Sequence, residues 1–497
     1  MGEIRRGAIL NYILLALQIG IPLALTPYVM DKLGAAEYGV YMLASTIMMR
    51  LYMSDLGRTT TTKFLSEYLG RGDHEGAARF LGNITLLYTA IGVGILLLGL
   101  GVYPWLGDIF RQFTAEELST YRVLYLLTLA NAAIMFPARS LVGVADAHQR
   151  FTIPGIIAIA AAGANALGTV LLLGLGLRSV GLIVLSISTG VVALLCNIGY
   201  CFVGLRACIR FSGWRGGIIK GIFVFSFWMF LNQLINMLNA GTGNYIVAIT
   251  QGSTASAVYT NGLMIYGHYY MLAGVLSALF LPRVVHMVLR GASPAEQTNA
   301  MIRLGRAQLM LLGGVLGVLV CFGKPFYRLW VGHIAGAQPE LSLHIMLCLV
   351  IPQTFALVQA LGWQITQARD ALRRRVLITG FNSLLFIMVS YFVCRYAGIR
   401  AQALWAACSI IIQLLMMNLW HYRALGLEVG RFYRETFRRA LPCALLMTGV
   451  GVGVRYLLPA DTWLQLLLCV GMFMLLYLPT VYYIYANPEE RRLFRRQ

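Results

Sequence analysis

Long apolar runs recur from one end of the chain to the other, separated by short polar connections. About 20 apolar residues in helical form cross the hydrocarbon core of a bilayer, and about fourteen runs reach that length. Because lipid offers no partner to backbone N–H and C=O groups, each run is expected to be an α-helix. The predicted spans lie near residues 8–30, 38–57, 80–103, 121–143, 152–177, 180–205, 218–250, 256–282, 302–322, 341–364, 376–394, 401–421, 439–457 and 463–485. The pattern predicts an all-α polytopic membrane protein with about fourteen transmembrane helices.

The basic residues collect in alternate connections. Of the 39 Lys and Arg residues, 29 fall in connections on the side of the N-terminus and eight on the opposite side, while Arg50 and Arg122 lie within predicted helices. Connections rich in Lys and Arg face the cytoplasm in membrane proteins. Both termini are therefore predicted to be cytoplasmic, which requires an even number of spans.

Composition serves mainly to exclude other classes of protein. The chain is 59% hydrophobic and 12% charged, against about 25% charged residues in a soluble domain. The net charge of +20 lies between the spans, where it favours anionic lipid, so nucleic acid is not predicted as a partner. The nine cysteines form no CxxC pair and no GxxxxGK[ST] motif is present, so no metal, nucleotide or other cofactor is predicted.

A weak internal repeat divides the chain. "LGAAEYGVYML" at 33–43 and "QGSTASAVYTN" at 251–261 share a glycine followed seven residues later by tyrosine, and the dipeptide RG recurs at 71–72 and 290–291 before short amphipathic segments. We expect two six-helix lobes in a pseudo-twofold arrangement, followed by two more helices. The predicted domains are an N-lobe of helices 1–6 (residues 1–205), a cytoplasmic linker (206–217), a C-lobe of helices 7–12 (218–422), and two additional helices with a basic cytoplasmic tail (423–497).

Two stretches resemble one group of transporters. "LGAAEYGVYMLASTIMMRLYMSDLGRTTTTKFLSEYLGRGD" at 33–73 carries LGxxEYGVY and DLG, and the stretch at 216–285 ends in "ALFLPRVV". They resemble the signature around helices 1–3 and the opening of the second lobe in polysaccharide (O-antigen type) flippases. Those flippases form part of the multidrug/oligosaccharidyl-lipid/polysaccharide (MOP) exporter superfamily.

The resemblance implies transport and no enzymatic activity. Such proteins carry an undecaprenyl-diphosphate-linked oligosaccharide from the inner to the outer leaflet by alternating access, for biosynthesis of surface polysaccharide such as lipopolysaccharide or exopolysaccharide. The implied location is the bacterial cytoplasmic (inner) membrane, crossed many times. The implied partners are the membrane, the lipid-linked substrate and the polysaccharide polymerase or export machinery.

Two arginines form the cationic part of the predicted substrate site. Arg50 lies within predicted helix 2, where a charge costs about 2.5–3.5 kcal/mol on insertion scales, and no residue three or four positions away is acidic. One interpretation is that its guanidinium grips the substrate diphosphate bidentately. The other is that it snorkels, since the cytoplasmic helix end is only about 10 Å away. Arg58 completes the pair, with Asp55 as a local partner at i+3.

Amides and one histidine form the neutral part of the predicted site. Asn232, Asn236 and Asn239 share one face of predicted helix 7, and Asn261 and His268 share one face of predicted helix 8. Such residues can line a hydrated cavity and bind sugar hydroxyls. They can equally bond neighbouring helices, at about 0.6 kcal/mol per bond. For His268, proton sensing and a hydrogen-bonded packing role are both open.

The distribution of acids bears on an alternative function. No Asp or Glu occurs between Asp146 and Glu296, and elsewhere each acid falls in a connection or terminus except Asp55 near the inner end of helix 2. Ion-coupled multidrug antiporters of the same superfamily rely on membrane carboxylates. The near-absence of such groups predicts a neutral to cationic cavity, which favours an anionic substrate over a cationic drug.

A membrane glycosyltransferase or polymerase is the third class considered. Such enzymes need catalytic groups on sizeable outer loops, whereas the longest predicted outer loops, near 104–120 and 323–340, are short and have no DxD motif. Asp31 and Glu37 in the first outer loop are the remaining candidates. No catalytic residue is predicted.

Overall fold

The computed structural model describes residues 2–53, 56–211, 216–369 and 371–485, and these ranges are almost entirely helical. The α-helices, labelled in chain order, are α1 (Gly2–Leu33), α2 (Ala35–Met53), α3 (Leu56–Gly70), α4 (His74–Val102), α5 (Leu106–Ile109), α6 (Ala115–Ala147), α7 (Thr152–Gly174), α8 (Ser179–Gly199), α9 (Gly216–Gln251), α10 (Ser253–Leu289), α11 (Pro294–Val331), α12 (Pro339–Val358), α13 (Ala360–Ala368), α14 (Leu372–Met416), α15 (Val429–Phe437), α16 (Ala440–Leu457) and α17 (Trp463–Thr480).

These helices account for the predicted spans. Among the described residues, ten segments are long and apolar enough to cross a membrane. One of them, Leu372–Leu425, contains two helical arms of α14 that meet at Gly398, where φ is +79° and the helix is broken. Helices α2, α9 and α10, of 19, 36 and 37 residues, supply the other three predicted spans. The predicted all-α polytopic architecture is confirmed, and the protein is a multi-pass membrane protein.

Glycines with left-handed backbone mark corresponding points of the internal repeat. Gly34 (φ +78°) is the single residue between α1 and α2, and Gly252 (φ +88°) is the single residue between α9 and α10. Gly72 (φ +71°) and Gly291 (φ +73°) lie in the turns before α4 and α11. Because L-residues with a Cβ rarely adopt this conformation, the glycines of the repeat are required by the turns. The segments expected to be short and amphipathic after each RG are the first turns of the spanning helices α4 and α11.

Polar contacts between helices follow the same repeat. The Asn165 amide of α7 donates to the Ser186 hydroxyl of α8 at 3.2 Å, and the Asn382 amide of α14 donates to the Ser409 hydroxyl across the Gly398 break at 3.0 Å. In both cases an amide joins the two helices that end a predicted lobe. These matches support a six-plus-six organisation.

The chain divides into two compact units, Met1–Ala257 and Val258–Gln497, called here the first unit and the second unit. Helix α9 packs against α2 and α3 and therefore lies in the first unit. The predicted lobe boundary, at the linker 206–217, falls one helix earlier than this division. The lobe boundaries stay a prediction.

In the first unit, α6 packs against α2, α3, α4 and α8. At one end of the unit, Leu43, Phe110, Tyr121 and Leu124 form a buried aromatic and aliphatic cluster. The Tyr245 hydroxyl of α9 donates to the Leu43 carbonyl at 2.8 Å. Because lipid is as apolar as these side chains, their stabilising effect comes mainly from close packing.

In the second unit, α11 is the central helix, and α16 and α17 pack on it. Glycines on α11 allow the close approach: a Cβ at Gly314 would lie 2.8 Å from the Tyr477 ring, and one at Gly317 would lie 2.7 Å from the Phe473 ring. Small residues commonly line helix interfaces in membranes for this reason. The two helices predicted after residue 422 are thus part of the packed second unit.

Candidate functional site

Arg50 lies in the last turn of α2. Its side chain is outside the described residues, and so is Asp55, the local partner proposed for Arg58. The prediction that the Arg50 guanidinium meets the substrate therefore stays a prediction.

Arg58 lies near the start of α3 and forms a two-pronged ion pair with Asp146 near the end of α6. Its Nε and Nη2 atoms are 2.5 and 3.1 Å from the two carboxylate oxygens. The Asp146 side chain is 14% exposed and that of Arg58 is 45% exposed. Glycine at position 143 allows α3 and α6 to lie this close, since a Cβ there would be only 2.6 Å from the Arg58 carbonyl oxygen. The charge of Arg58 is therefore balanced by Asp146, which the sequence did not indicate.

The predicted amide stripe on α9 differs in exposure along its length. Asn232 is buried, Asn239 is half-buried and Asn236 is exposed. Within the described residues, the Asn232 side-chain oxygen has no hydrogen-bond partner. The stripe is thus partly buried and partly exposed, and both interpretations of the amides stay open.

The predicted polar residues of α10 lie in the second unit. Asn261 is fully buried, and its backbone carbonyl accepts a hydrogen bond from the Tyr327 hydroxyl at 3.2 Å. His268 is half-buried, and neither of its ring nitrogens has a hydrogen-bond partner in the part of the chain that the structure describes. The adjacent Tyr269 hydroxyl, by contrast, bonds the Thr354 hydroxyl at 2.7 Å. Asn232, Asn236 and Asn239 belong to the first unit, whereas Asn261 and His268 belong to the second unit.

A cationic and aromatic cluster in the second unit was missed from the sequence. Arg375 lies in the first turn of α14, and its guanidinium carbon is 3.8 Å from the centre of the Trp363 ring on α13. Its Nε is buried and has no hydrogen-bond partner in the described ranges. The side chains of Tyr270 of α10 and Tyr422 lie near this guanidinium. In the sequence, Arg375 is one of several basic residues in a connection and directly precedes the predicted span 376–394.

A distorted helical turn builds one wall of this cluster. Tyr422 ends the π-helical turn Met417–Tyr422 that follows α14, and such turns recur at functional sites. A Cβ at Gly362 would lie 2.7 Å from the Tyr422 ring, so glycine is needed for α13 to approach the turn. His421, in the same turn, has its Nε2 2.8 Å from the Thr366 hydroxyl of α13.

The acids of the spanning helices are confined to helix ends. In the described ranges, each Asp or Glu of a spanning helix lies in its first or last turn. Glu37, one of the candidates for an enzymatic acid, accepts hydrogen bonds from the Ser179 amide (3.1 Å) and hydroxyl (2.7 Å) at the start of α8. It is thus engaged in holding two helices. Asp31, the other candidate, is exposed in the last turn of α1.

The structure is that of a multi-pass helical membrane protein whose acids, in the described ranges, lie at the ends of the spanning helices. No protein-family model matches the chain, and no curated protein does. Solved structures do. The lipid II flippase MurJ in an inward closed conformation has a TM-score of 0.73 at 14% identity, over 96% of this chain and 98% of that chain.

Transporters of the MOP superfamily give further matches. An inward-facing multidrug resistance MATE family transporter of the MOP superfamily has a TM-score of 0.61 at 16% identity, covering 85% of this chain and 95% of that one. A MOP superfamily transporter from Pyrococcus furiosus, whose binding pocket is described as reversed in polarity, has a TM-score of 0.58 at 19% identity, covering 87% and 96%. The protein has the fold of MOP superfamily transporters and flippases.

Proposed function

We propose that the protein is a flippase that moves an undecaprenyl-diphosphate-linked oligosaccharide from the inner to the outer leaflet of the cytoplasmic membrane by alternating access. One observation carries the proposal: in the described ranges, the spanning helices hold acids only in their terminal turns, while Arg375 stands half-buried beside aromatic rings. A pathway of this polarity favours an anionic, sugar-bearing substrate. The likeness to MurJ, a lipid II flippase, agrees with a lipid-linked substrate.

The second candidate, an ion-coupled multidrug antiporter, is supported by the MATE-like fold. Binding a cationic drug or a coupling proton within the membrane calls for a carboxylate away from the helix ends. Among the described residues the carboxylates of the spanning helices lie at those ends, and two of them are engaged, Glu37 with Ser179 and Asp146 with Arg58. The charge distribution therefore favours the flippase.

The membrane potential can supply the driving force. Moving one negative charge outward across an inside-negative potential is favourable by about 2.3 kcal/mol per 100 mV. A diphosphate carrying about two charges gains roughly 4–5 kcal/mol if its charge crosses uncompensated. Export then needs no nucleotide, in keeping with the lack of a GxxxxGK[ST] motif.

The test is translocation by the purified full chain in liposomes. A fluorescent undecaprenyl-diphosphate oligosaccharide is placed in both leaflets, and a membrane-impermeant quencher reports the fraction in the outer leaflet over time. We expect the protein to let the inner pool reach the quencher, faster when a potassium diffusion potential draws anions outward. Proteoliposomes that show no exchange of this lipid, but accumulate a cationic dye when a proton gradient is applied, would identify the antiporter instead.

A further inference from the structure

The guanidinium of Arg375 is fixed on one face and unsatisfied at one buried nitrogen. It stacks on Trp363 at 3.8 Å, and its Nε is buried without a hydrogen-bond partner in the described ranges. A charge-bearing donor left buried and unpaired costs free energy that a bound acceptor would recover. The nearest acid along the chain, Asp370, lies outside the described residues.

The surroundings favour an anion with several oxygens. Arg375 lies in the first turn of α14, where the helix dipole attracts negative charge. The Tyr270 and Tyr422 side chains lie near the guanidinium, and tyrosine hydroxyls can donate hydrogen bonds to phosphoryl oxygens. Tyr270 is 50% exposed, so the cluster is reachable from the surface of the second unit. A planar guanidinium held over the face of an aromatic ring leaves its N–H edge for bidentate binding of phosphate.

We propose that Arg375, held against Trp363, binds the phosphate of a lipid head group, with Tyr270 and Tyr422 as additional donors. This proposal rests on the proposed function, for which it supplies a contact with the diphosphate of the substrate. Phosphate is also the head group of bulk anionic phospholipids, and the two sources share the chemistry recognised by the cluster. The source of the phosphate is therefore decided by experiment.

The experiment measures lipid affinity of the full chain in detergent for two probes separately, undecaprenyl diphosphate and cardiolipin. Arg375→Gln keeps the length and polarity of the side chain but removes its charge and fork of donors. We expect it to weaken binding roughly tenfold to a hundredfold, the usual range for losing charge-assisted hydrogen bonds. Arg375→Lys, which keeps the charge without the fork, should lie between. Trp363→Leu should weaken binding severalfold by removing the stacking partner.

The matched control is Arg374→Gln. Arg374 precedes Arg375 on the same turn and is exposed, so this variant has the same net charge as Arg375→Gln and should bind within threefold of the natural chain. A loss confined to undecaprenyl diphosphate identifies the transported lipid as the ligand, and a loss for cardiolipin identifies the surrounding membrane. If Arg375→Gln, Arg375→Lys and Arg374→Gln bind both probes alike, the proposal is wrong.

The two proposals fail in different ways. If Arg375 is needed for lipid binding but the protein does not translocate the fluorescent oligosaccharide, the phosphate site stands and the flippase function is wrong. If Arg375→Gln translocates normally and binds with unchanged affinity, the flippase function stands and the phosphate site is wrong.

Discussion

Within the second unit, a buried arginine attaches the C-terminal helices to α11. Arg306 of α11 is 3% exposed, and its guanidinium donates to the Glu435 carbonyl of α15 at 3.2 Å and to the Tyr485 carbonyl beyond α17 at 2.7 Å. It also lies 4.6 Å from the centre of the Tyr485 ring. The Tyr485 hydroxyl in turn donates to the Thr436 carbonyl at 3.1 Å. We predict that Arg306→Met frees the α15–α17 segment to open locally.

The size of the effect follows from these contacts. Two hydrogen bonds from a charged donor contribute about 1.5–3 kcal/mol each, and the stacking adds about 1–2 kcal/mol in a dry setting. Methionine leaves both carbonyls without that donor but returns the desolvation energy of a buried charge, which offsets several kcal/mol. The net loss is about 2–3 kcal/mol, so the open population should rise roughly 30- to 150-fold.

Thiol labelling measures this opening directly. Cys443 is buried in the same cluster as Tyr485, near the start of α16. In a variant whose only cysteine is Cys443, the rate of maleimide labelling reports how often the cluster opens. The rate should rise roughly 30- to 150-fold in Arg306→Met, and Arg306→Lys should give a smaller increase because one donor direction is retained.

The control is the exposed Arg303, one turn earlier on α11. Arg303→Met removes the same charge and should change Cys443 labelling less than threefold. A second single-cysteine variant keeps only Cys408, which is exposed, and should label at the same rate in all backgrounds. Equal Cys443 labelling in Arg306→Met and Arg303→Met would refute the anchoring role.

Three further predictions concern Gly39, the Arg58–Asp146 ion pair and Arg50. Gly39→Ala should lower the thermal stability and yield of the protein, because the added Cβ would lie 2.0 Å from a backbone oxygen of α10. Gly20→Ala is the control: it has open space around it and should behave as the natural chain. A double-mutant cycle of Arg58→Gln and Asp146→Asn, read by thermal unfolding, should give a coupling of about 0.5–1 kcal/mol because Arg58 is half-exposed, and additive effects would contradict the ion pair. In a bacterial strain whose surface polysaccharide requires this protein, Arg50→Ala should abolish the polysaccharide at unchanged protein level, and Arg50→Lys should partly restore it. Normal polysaccharide in Arg50→Ala would show that Arg50 has no role in transport.

The number and order of spans could be predicted because lipid imposes one rule on the whole chain. Each crossing must bury its backbone polar groups in a helix of about 20 apolar residues, which leaves a strong signal even in a single sequence. The glycines of the repeat were also legible, since Gly34 and Gly252 occupy turns that a Cβ would strain. The left-handed backbone at both glycines explains why the two repeated stretches share a glycine at this position.

The roles of individual arginines could not be predicted in the same way. Arg58, Arg306 and Arg375 all read as basic residues near predicted helix ends. Their partners are an acid 88 residues away for Arg58, and backbone carbonyls 129 and 179 residues away for Arg306. Helical spacing reveals partners three or four positions away and carries no information about such contacts. The Arg375–Trp363 pair had a local signal, an arginine and a tryptophan flanking one short connection, but not the π-helical turn that completes the cluster.

The contrast between these arginines gives the argument for anion transport its physical basis. Arg58 is paired with a carboxylate, and the buried Arg306 donates to two backbone carbonyl oxygens, so each of them stabilises the fold. Arg375 lies over an aromatic face, and in the described ranges its buried Nε has no hydrogen-bond partner. Because a partly buried charge acts more strongly than a solvated one in a medium of low dielectric constant, Arg375 should contribute more to substrate selection than a solvated arginine does. Selectivity for anions should therefore respond to Arg375 far more than to the net charge of +20.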